Sequence, residues 1–170
     1  MCTQTFTIRR AGAEDAAALL DYLKQVGGET DNLSFGPEGV PLSVETEAAY
    51  LAAQASSTDN VQYLAISDGS IIGTASLNRK PRRMGHRGEF GISLRRAYWG
   101  CGAAGALTEK VLAFARSSGF ELLELEVRSD NTRAIRLYEK HGFRKLCTFP
   151  GFFKLNGEYL DFDLMLLPLQ

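Results

Sequence analysis

The eight residues Tyr98–Gly105, YWGCGAAG, carry Gly100, Gly102 and Gly105 at GxGxxG spacing. Such a turn can hold a dinucleotide, hold another phosphate ligand, or simply join a strand to a helix. From Ala103 to Ser118 the residues Leu107, Val111, Leu112 and Ala115 form one helical stripe that Gly119 ends, so a helix begins where the turn stops. The start of a helix offers about four unpaired N–H groups and roughly half a positive charge. Gly100 and Gly102 lack a Cβ, so a diphosphate can approach their backbone closely. A dinucleotide fold gains support from the order strand, glycine turn, helix, strand, and from Glu126 roughly 20 residues on. Against it stand the residues RRAYW, Arg95–Trp99, between strand and turn, and the presence of only one clear βαβ unit among hairpins.

Outward from the turn, the pattern alternates between the two periodicities. TFTIRR (Thr5–Arg10) and GEFGISLR (Gly88–Arg95) read as strands, as does FELLELEV (Phe120–Val127). Glu14 to Val26 reads as a helix that Gly27-Gly28 stops, and Ser43 caps a second helix through VETEAAYLAAQAS with acids in its first turn. VQYLAIS and SIIGTASLN form a hairpin around Asp68-Gly69, and RKLCTFPGFF and EYLDFDLMLL form another around Asn156-Gly157. The resulting order is strand, two helices, three strands, helix, strand, helix, two strands. This is a mixed α/β chain, one domain over residues 1–170.

The decisive context is LEVRSDNTRAIRLYEKHGF, Leu125–Phe143. Asn131 and Tyr138 lie seven residues apart, about two helical turns, and so on nearly one face. Asn131 can be no more than a helix cap, and Tyr138 no more than a core aromatic with its hydroxyl at the edge. Gly142 closes the helix, with Phe143 free to pack back on it. Together, YWGCGAAGAL and this run resemble the GCN5-related N-acetyltransferases, the GNAT superfamily, and look particularly like its ribosomal-protein alanine acetyltransferases from Glu126 to Phe143.

The resemblance implies a mostly antiparallel twisted sheet of about seven strands with about four helices, splayed between strands four and five. It also implies acetyl-CoA as cosubstrate. The family's [RQ]xxGx[GA] loop falls on Trp99-Gly-Cys-Gly-Ala-Ala104, with Trp99 in place of Arg or Gln, so backbone donors from Gly100, Cys101, Gly102, Ala103, Ala104 and Gly105 are expected to carry the diphosphate. By the same resemblance Ile92 to Leu94 pair with the pantetheine arm, Asn131 and Ala134 contact it, and Tyr138 is the general acid. Direct transfer needs a neutral amine, and an alkylamine near pKa 10 requires a base to lose its proton. Glu126 matches the proton acceptor of the ribosomal alanine acetyltransferases, and Glu89 on the fourth strand is the alternative. Glu124 and Glu126 share a strand face by alternation, so an ordinary solvated carboxylate pair is the plain reading of both.

Composition narrows the remaining classes. A formal net charge of -1 does not point to nucleic acid, and no apolar run approaches the ~20 residues of a membrane span. Cys2, Cys101 and Cys147 are odd in number and too far apart for a CxxC pair, and with His86 and His141 they suggest no metal site. The N-terminus lacks the apolar centre of a secretory signal, and a reducing, cytoplasmic setting fits best. Cys101 has no His or Asp partner nearby in sequence to make it a nucleophile. No Lys or Arg occurs from Gln25 to Asn78, whereas RKPRRMGHRG (Arg79–Gly88) holds five cations and no acid. The two segments are either a solvated acidic face and a basic loop, or attractors for a cationic acceptor and an anionic ligand. Glu29, Asp31, Phe35, Phe152 and Tyr159 suit a cationic or amphipathic amine from a small molecule or peptide. Dimers are common in the family, so a homodimer is compatible with the resemblance. The other function classes are a CoA- or nucleotide-binding regulatory module without catalysis and an NAD-type oxidoreductase.

Overall fold

Each strand and helix read from the pattern is present in the computed structural model, which describes residues 5–169. Met1–Gln4, Cys2 among them, and Gln170 lie outside the described residues. Strand β1 (Thr7–Arg10) is followed by helices α1 (Ala16–Glu29) and α2 (Val44–Ala55), then by β2 (Asn60–Ser67), β3 (Ser70–Arg79) and β4 (Arg87–Leu94). Helix α3 (Ala103–Ser117), β5 (Leu122–Arg128), α4 (Thr132–Lys140), β6 (Arg144–Leu155) and β7 (Glu158–Pro168) complete the order. Both hairpin turns form as their Asp-Gly and Asn-Gly pairs require, with positive φ at Asp68, Gly69, Asn156 and Gly157. Ser43 caps α2 by accepting the Thr46 N–H, and Phe143 folds back so that its N–H reaches the Tyr138 carbonyl at 3.0 Å.

The seven strands form one sheet in the order β1-β2-β3-β4-β5-β7-β6, antiparallel except for β4 against β5. This order removes the dinucleotide fold, whose sheet is mostly parallel. Leu64 and Ala65, consecutive on β2 and both fully buried, belong to two different apolar clusters, because alternate residues face opposite sides of the sheet. One cluster packs α1 and α2 on the sheet through Leu19, Tyr22, Val26 and Leu51. The other packs α3 through Leu107, Val111 and Ala115, together with Tyr138 of α4. The two clusters therefore lie on opposite faces of the sheet.

Two local expectations are corrected. Gly27 and Gly28 do not stop α1, which continues to Glu29. A Cβ on Gly27 would collide with the Gly36 carbonyl oxygen, so this glycine serves close approach of the α1–α2 connection and not helix termination. Arg95, read as the last residue of the fourth strand, falls outside β4, which ends at Leu94, and Arg96–Tyr98 make a 3₁₀ turn that carries the chain to the glycine turn.

The β4–β5 ladder is short. Arg87, Gly88 and Glu89 pair with Leu122, Leu123 and Glu124, and there the pairing stops, although β4 continues to Leu94 and β5 to Arg128. The bonds Lys80 N–H to Arg87 C=O and Arg95 N–H to Ile72 C=O, both 2.9 Å, set which β4 residues hydrogen-bond to β3. By antiparallel alternation Phe90, Ile92 and Leu94 then direct their backbone groups away from β3, into the splay. The splay expected between strands four and five is present, and it is bordered by an unpaired strand edge.

Candidate functional site

A cleft of about 780 Å³ occupies the splay and runs from the N-terminus of α3 to the β6–β7 hairpin. One wall starts with the glycine turn. Gly100 and Gly102 adopt φ of 81° and 89°, the left-handed region that other residues enter only at a cost of about 1–2 kcal/mol. The turn therefore forms because these two residues are glycine. An added Cβ at Gly100, Gly102 or Gly105 meets no protein atom within 4 Å, so the space in front of the turn is open. Gly102 is the N-cap of α3 and offers no side-chain cap, which leaves the first-turn N–H groups facing the cleft mouth.

Not every residue of the turn takes part equally. Gly100, Gly102, Ala104 and Gly105 line the cleft. Cys101 does not: its side chain packs on the core and its N–H goes to the Tyr98 carbonyl. Ala103, expected to donate its backbone N–H to the diphosphate, is fully buried and does not line the cleft. Trp99 lies on the wall, held between the guanidinium groups of Arg96 and Arg133 at 5.6 and 4.6 Å from the ring centre. Its indole N–H donates to the Leu94 carbonyl at 3.0 Å. Trp99 thus caps the open edge of β4, leaving the Leu94 N–H and both backbone groups of Ile92 as that edge's free partners.

On the opposite side of the splay, Asn131, Ala134 and Tyr138 of α4 line the cleft together. Asn131 is an N-cap, accepting the Ala134 N–H through Oδ1 at 3.3 Å, and its amide NH₂ remains available to the cleft. Tyr138 is 7% exposed and stands edge-on to Phe90, with ring centres 6.1 Å apart. Burial pushes its phenol pKa up, so the hydroxyl stays protonated. The cap, the core aromatic and the cleft residue are one arrangement rather than alternatives.

Glu126 and Glu89 also face the cleft, but in different company. Glu89 forms an ion pair with Lys80, whose Nζ also lies 3.1 Å from Glu124. Glu124 is buried and pairs with Arg87 as well. Glu126 has no cation in contact. Desolvation against the cleft wall raises its pKa above the ordinary carboxylate range, and the charge of Glu89 adds to that, with Lys80 opposing. The alternation that put Glu124 and Glu126 on one face is correct, while their roles diverge: one is a buried ion-pair partner, the other an open carboxylate.

Lys80 and Glu124 were not singled out by sequence reasoning. Their signal lay in the register, which sets Glu89 directly opposite Glu124 with Glu126 one step along, three acids that need a cation. The basic loop supplies it. Arg79 pairs with Asp59 at 2.8 Å and lies over the Phe120 ring at 3.8 Å, so Arg79, Lys80 and Arg87 are all used within the protein. Three of the five cations of this segment are thus counter-charges for the sheet, while Arg82 and Arg83 are exposed. Glu29, expected to attract a cationic acceptor, instead binds Arg95 and accepts the Arg96 N–H, each at 2.7 Å, tying α1 to the end of β4. Phe35 packs on the α1–α2 core and Tyr159 lies beneath Lys154, so of the three aromatics proposed for the acceptor only Phe152 reaches the cleft, joined by Phe153 and Phe162. Among the described residues no group of His, Cys, Asp and Glu has the arrangement of a metal site, and no helix is long and apolar enough to cross a membrane.

The geometry has close counterparts. A crystal structure of a GNAT-family acetyltransferase from Streptococcus pneumoniae superimposes with a TM-score of 0.92 at 31% identity, covering 98% of this chain and all of that one. An acetyltransferase of Salmonella typhimurium solved with its cofactor acetyl-CoA shares the fold, with a TM-score of 0.84 at 23% identity over 97% of this chain and 94% of that one. The L-amino acid N-acetyltransferase AaaT of Escherichia coli (strain K12) is 33% identical over 103 residues, which are 59% of this chain and span 63% of that relative's length. The acetyltransferase (GNAT) family model matches residues 29–143, the segment that builds the cleft from α1 to the end of α4, and the chain belongs to that family.

Proposed function

We propose that the protein is an acetyl-CoA-dependent N-acetyltransferase that moves an acetyl group directly to a primary amine of a small molecule or peptide. The observation that carries this reading is the break in the β4–β5 ladder after Glu89 and Glu124, which opens an unpaired strand edge directly onto the free N-terminal amides of α3. An extended amide arm fits that edge, and a diphosphate fits the helix start, where a Cβ at any of the three turn glycines would occupy empty space. When bound, acetyl-CoA supplies an activated thioester carbonyl.

The chain's own groups then have defined tasks. Glu126 takes the proton of the acceptor ammonium, because it is the cleft carboxylate without a bound cation and its raised pKa brings it closer to neutral pH. Glu89 is held by Lys80 and acts on Glu126 through its charge. The Ile92 N–H, on the open edge of β4, is a donor toward the carbonyl oxygen as the amine nitrogen bonds to its carbon. The Tyr138 hydroxyl, kept protonated by burial, delivers a proton to the sulfur as the C–S bond breaks. Asn131 uses its free NH₂ to hold the arm in place.

Ligand-induced thermal shifts test the cofactor half. CoA and acetyl-CoA raise Tm and NAD(P) does not; stabilisation by NAD alone refutes the reading. Thiol release from acetyl-CoA in the presence of primary amines tests the chemistry. An acetyl-CoA shift with no thiol release for any amine leaves a binding module.

A further inference from the structure

The acceptor end of the cleft is built by a distortion of the outermost strand. Phe149 of β6 stands opposite Phe162 of β7, and Phe153 stands opposite Leu160, so residues 150–152 face the single residue Asp161. The extra length is taken up at Pro150-Gly151. Gly151 has φ of 64°, and its N–H is tied to the Asp161 carboxylate at 2.9 Å. In a regular strand Phe152 and Phe153 would face opposite sides of the sheet. The bulge instead brings both against Phe162, with ring centres at 4.9 and 4.2 Å, and all three line the cleft. Phe162 is buried, whereas Phe152 remains 39% exposed, with Phe149 edge-on behind it at 5.2 Å.

Part of the charge at this end is committed, while the Asp161 carboxylate accepts the Gly151 N–H and pairs with no cation among the described residues. Glu89 is paired with Lys80, and the nearby Arg128 and Asp130 are paired with each other at 2.7 Å. Glu126 is the one cleft carboxylate without a bound cation, and the proposed function assigns it to the amine that reacts. An apolar body attached to the amine covers the exposed face of Phe152.

We infer that the Phe152–Phe153–Phe162 wall selects acceptors whose primary amine is carried on an aromatic or large aliphatic group, and discriminates against amines without one. This inference rests on the transfer reading of the cleft. Steady-state thiol release from acetyl-CoA, measured with 2-phenylethylamine, ethylamine and 1,4-diaminobutane, tests it. The kcat/KM for 2-phenylethylamine is expected to exceed the other two by roughly tenfold or more, the range of hydrophobic-pocket discrimination. Phe152→Ala is expected to lower the ratio of phenylethylamine to ethylamine kcat/KM by about the same factor, with Phe152→Leu intermediate; a merely structural role for Phe152 would lower both substrates together and leave the ratio fixed. Equal turnover of the three amines, preference for the diamine, or an unchanged ratio in Phe152→Ala overturns the aromatic selection and leaves the transferase reading standing. Thiol release with none of the three overturns the aromatic selection, and release with no primary amine at all overturns both.

Discussion

Replacing Gly105 by alanine separates folding from cofactor binding, because the two respond with opposite sign. Gly105 lies in the first turn of α3, and a Cβ there meets no protein atom within 4 Å. Its φ is not in the positive region, unlike Gly100 and Gly102. Glycine within a helix costs about 0.5–1 kcal/mol relative to alanine, so the apoprotein gains stability, toward the lower figure because the first turn is incompletely constrained. For a chain of this size that is a rise of about 1–4 °C in Tm. The added methyl, however, lies where the diphosphate is expected to pack on the backbone. Forcing an extra carbon into a filled contact costs about 1–3 kcal/mol, or roughly 5- to 150-fold in acetyl-CoA affinity. At a ligand concentration of 100 times the parent Kd, ligand stabilisation of about 2.7 kcal/mol falls to about 1.4 for a tenfold loss. Differential scanning fluorimetry with and without acetyl-CoA reads both effects in one experiment. Gly102→Ala supplies the contrast, since its φ of 89° makes the apoprotein itself less stable by about 1–2 kcal/mol. If Gly105→Ala raises Tm but keeps the full acetyl-CoA shift, the diphosphate does not sit on this turn and the cofactor argument fails.

Three further outcomes are expected. Glu126→Gln lowers kcat/KM yet raises Tm at pH 7: the folded pKa lies above the unfolded one, so the carboxyl favours the fold below the ordinary value near 4.3 and loses that contribution as pH rises through the folded value. The Tm gain should shrink as pH is lowered toward 4; a lower Tm at pH 7 contradicts the desolvation argument. Tyr138→Phe reduces kcat by roughly 10²-fold with little change in KM, and an unchanged kcat removes the hydroxyl from proton delivery. Trp99 is the sole tryptophan of the chain and lies on the cleft wall, so acetyl-CoA binding should change the intrinsic emission, and an acetyl-CoA titration that shifts Tm while leaving emission flat places the ligand elsewhere.

The half of the cleft built by the glycine turn and α4 was legible because its code is local. A left-handed turn needs glycine at Gly100 and Gly102, a helix start supplies its own amides, and Asn131 and Tyr138 share a helix whose period puts them on one side. Each of these properties is decided within about ten residues of chain. The residues that were misread are those whose partners lie far away in sequence. Glu29 looked like a free acid until Arg95 and Arg96, some 66 positions on, came to bind it. Lys80 and Arg87 looked like an anion-binding loop until β5 brought Glu124 beside them, and Gly27 looked like a stop until Gly36 approached it.

The same distinction bears on how the two carboxylates divide their work. The β4–β5 ladder ends at the Glu89–Glu124 pair, so two acids are brought together at the point where the strands part. Such a junction is unfavourable unless cations neutralise it, and Lys80 and Arg87 do so from the preceding loop and from β4 itself. One residue further into the splay β5 has no strand neighbour on its β4 side, and Glu126, two positions beyond Glu124 on the same face, is left without a cation. A carboxylate exposed in the cleft, beside other acids and without a counter-ion among the described residues, is free to remove a proton. The parting of the strands therefore does two things at once: it opens an unpaired edge on β4, and it separates the paired carboxylates that hold the sheet from the unpaired one that can act as a base.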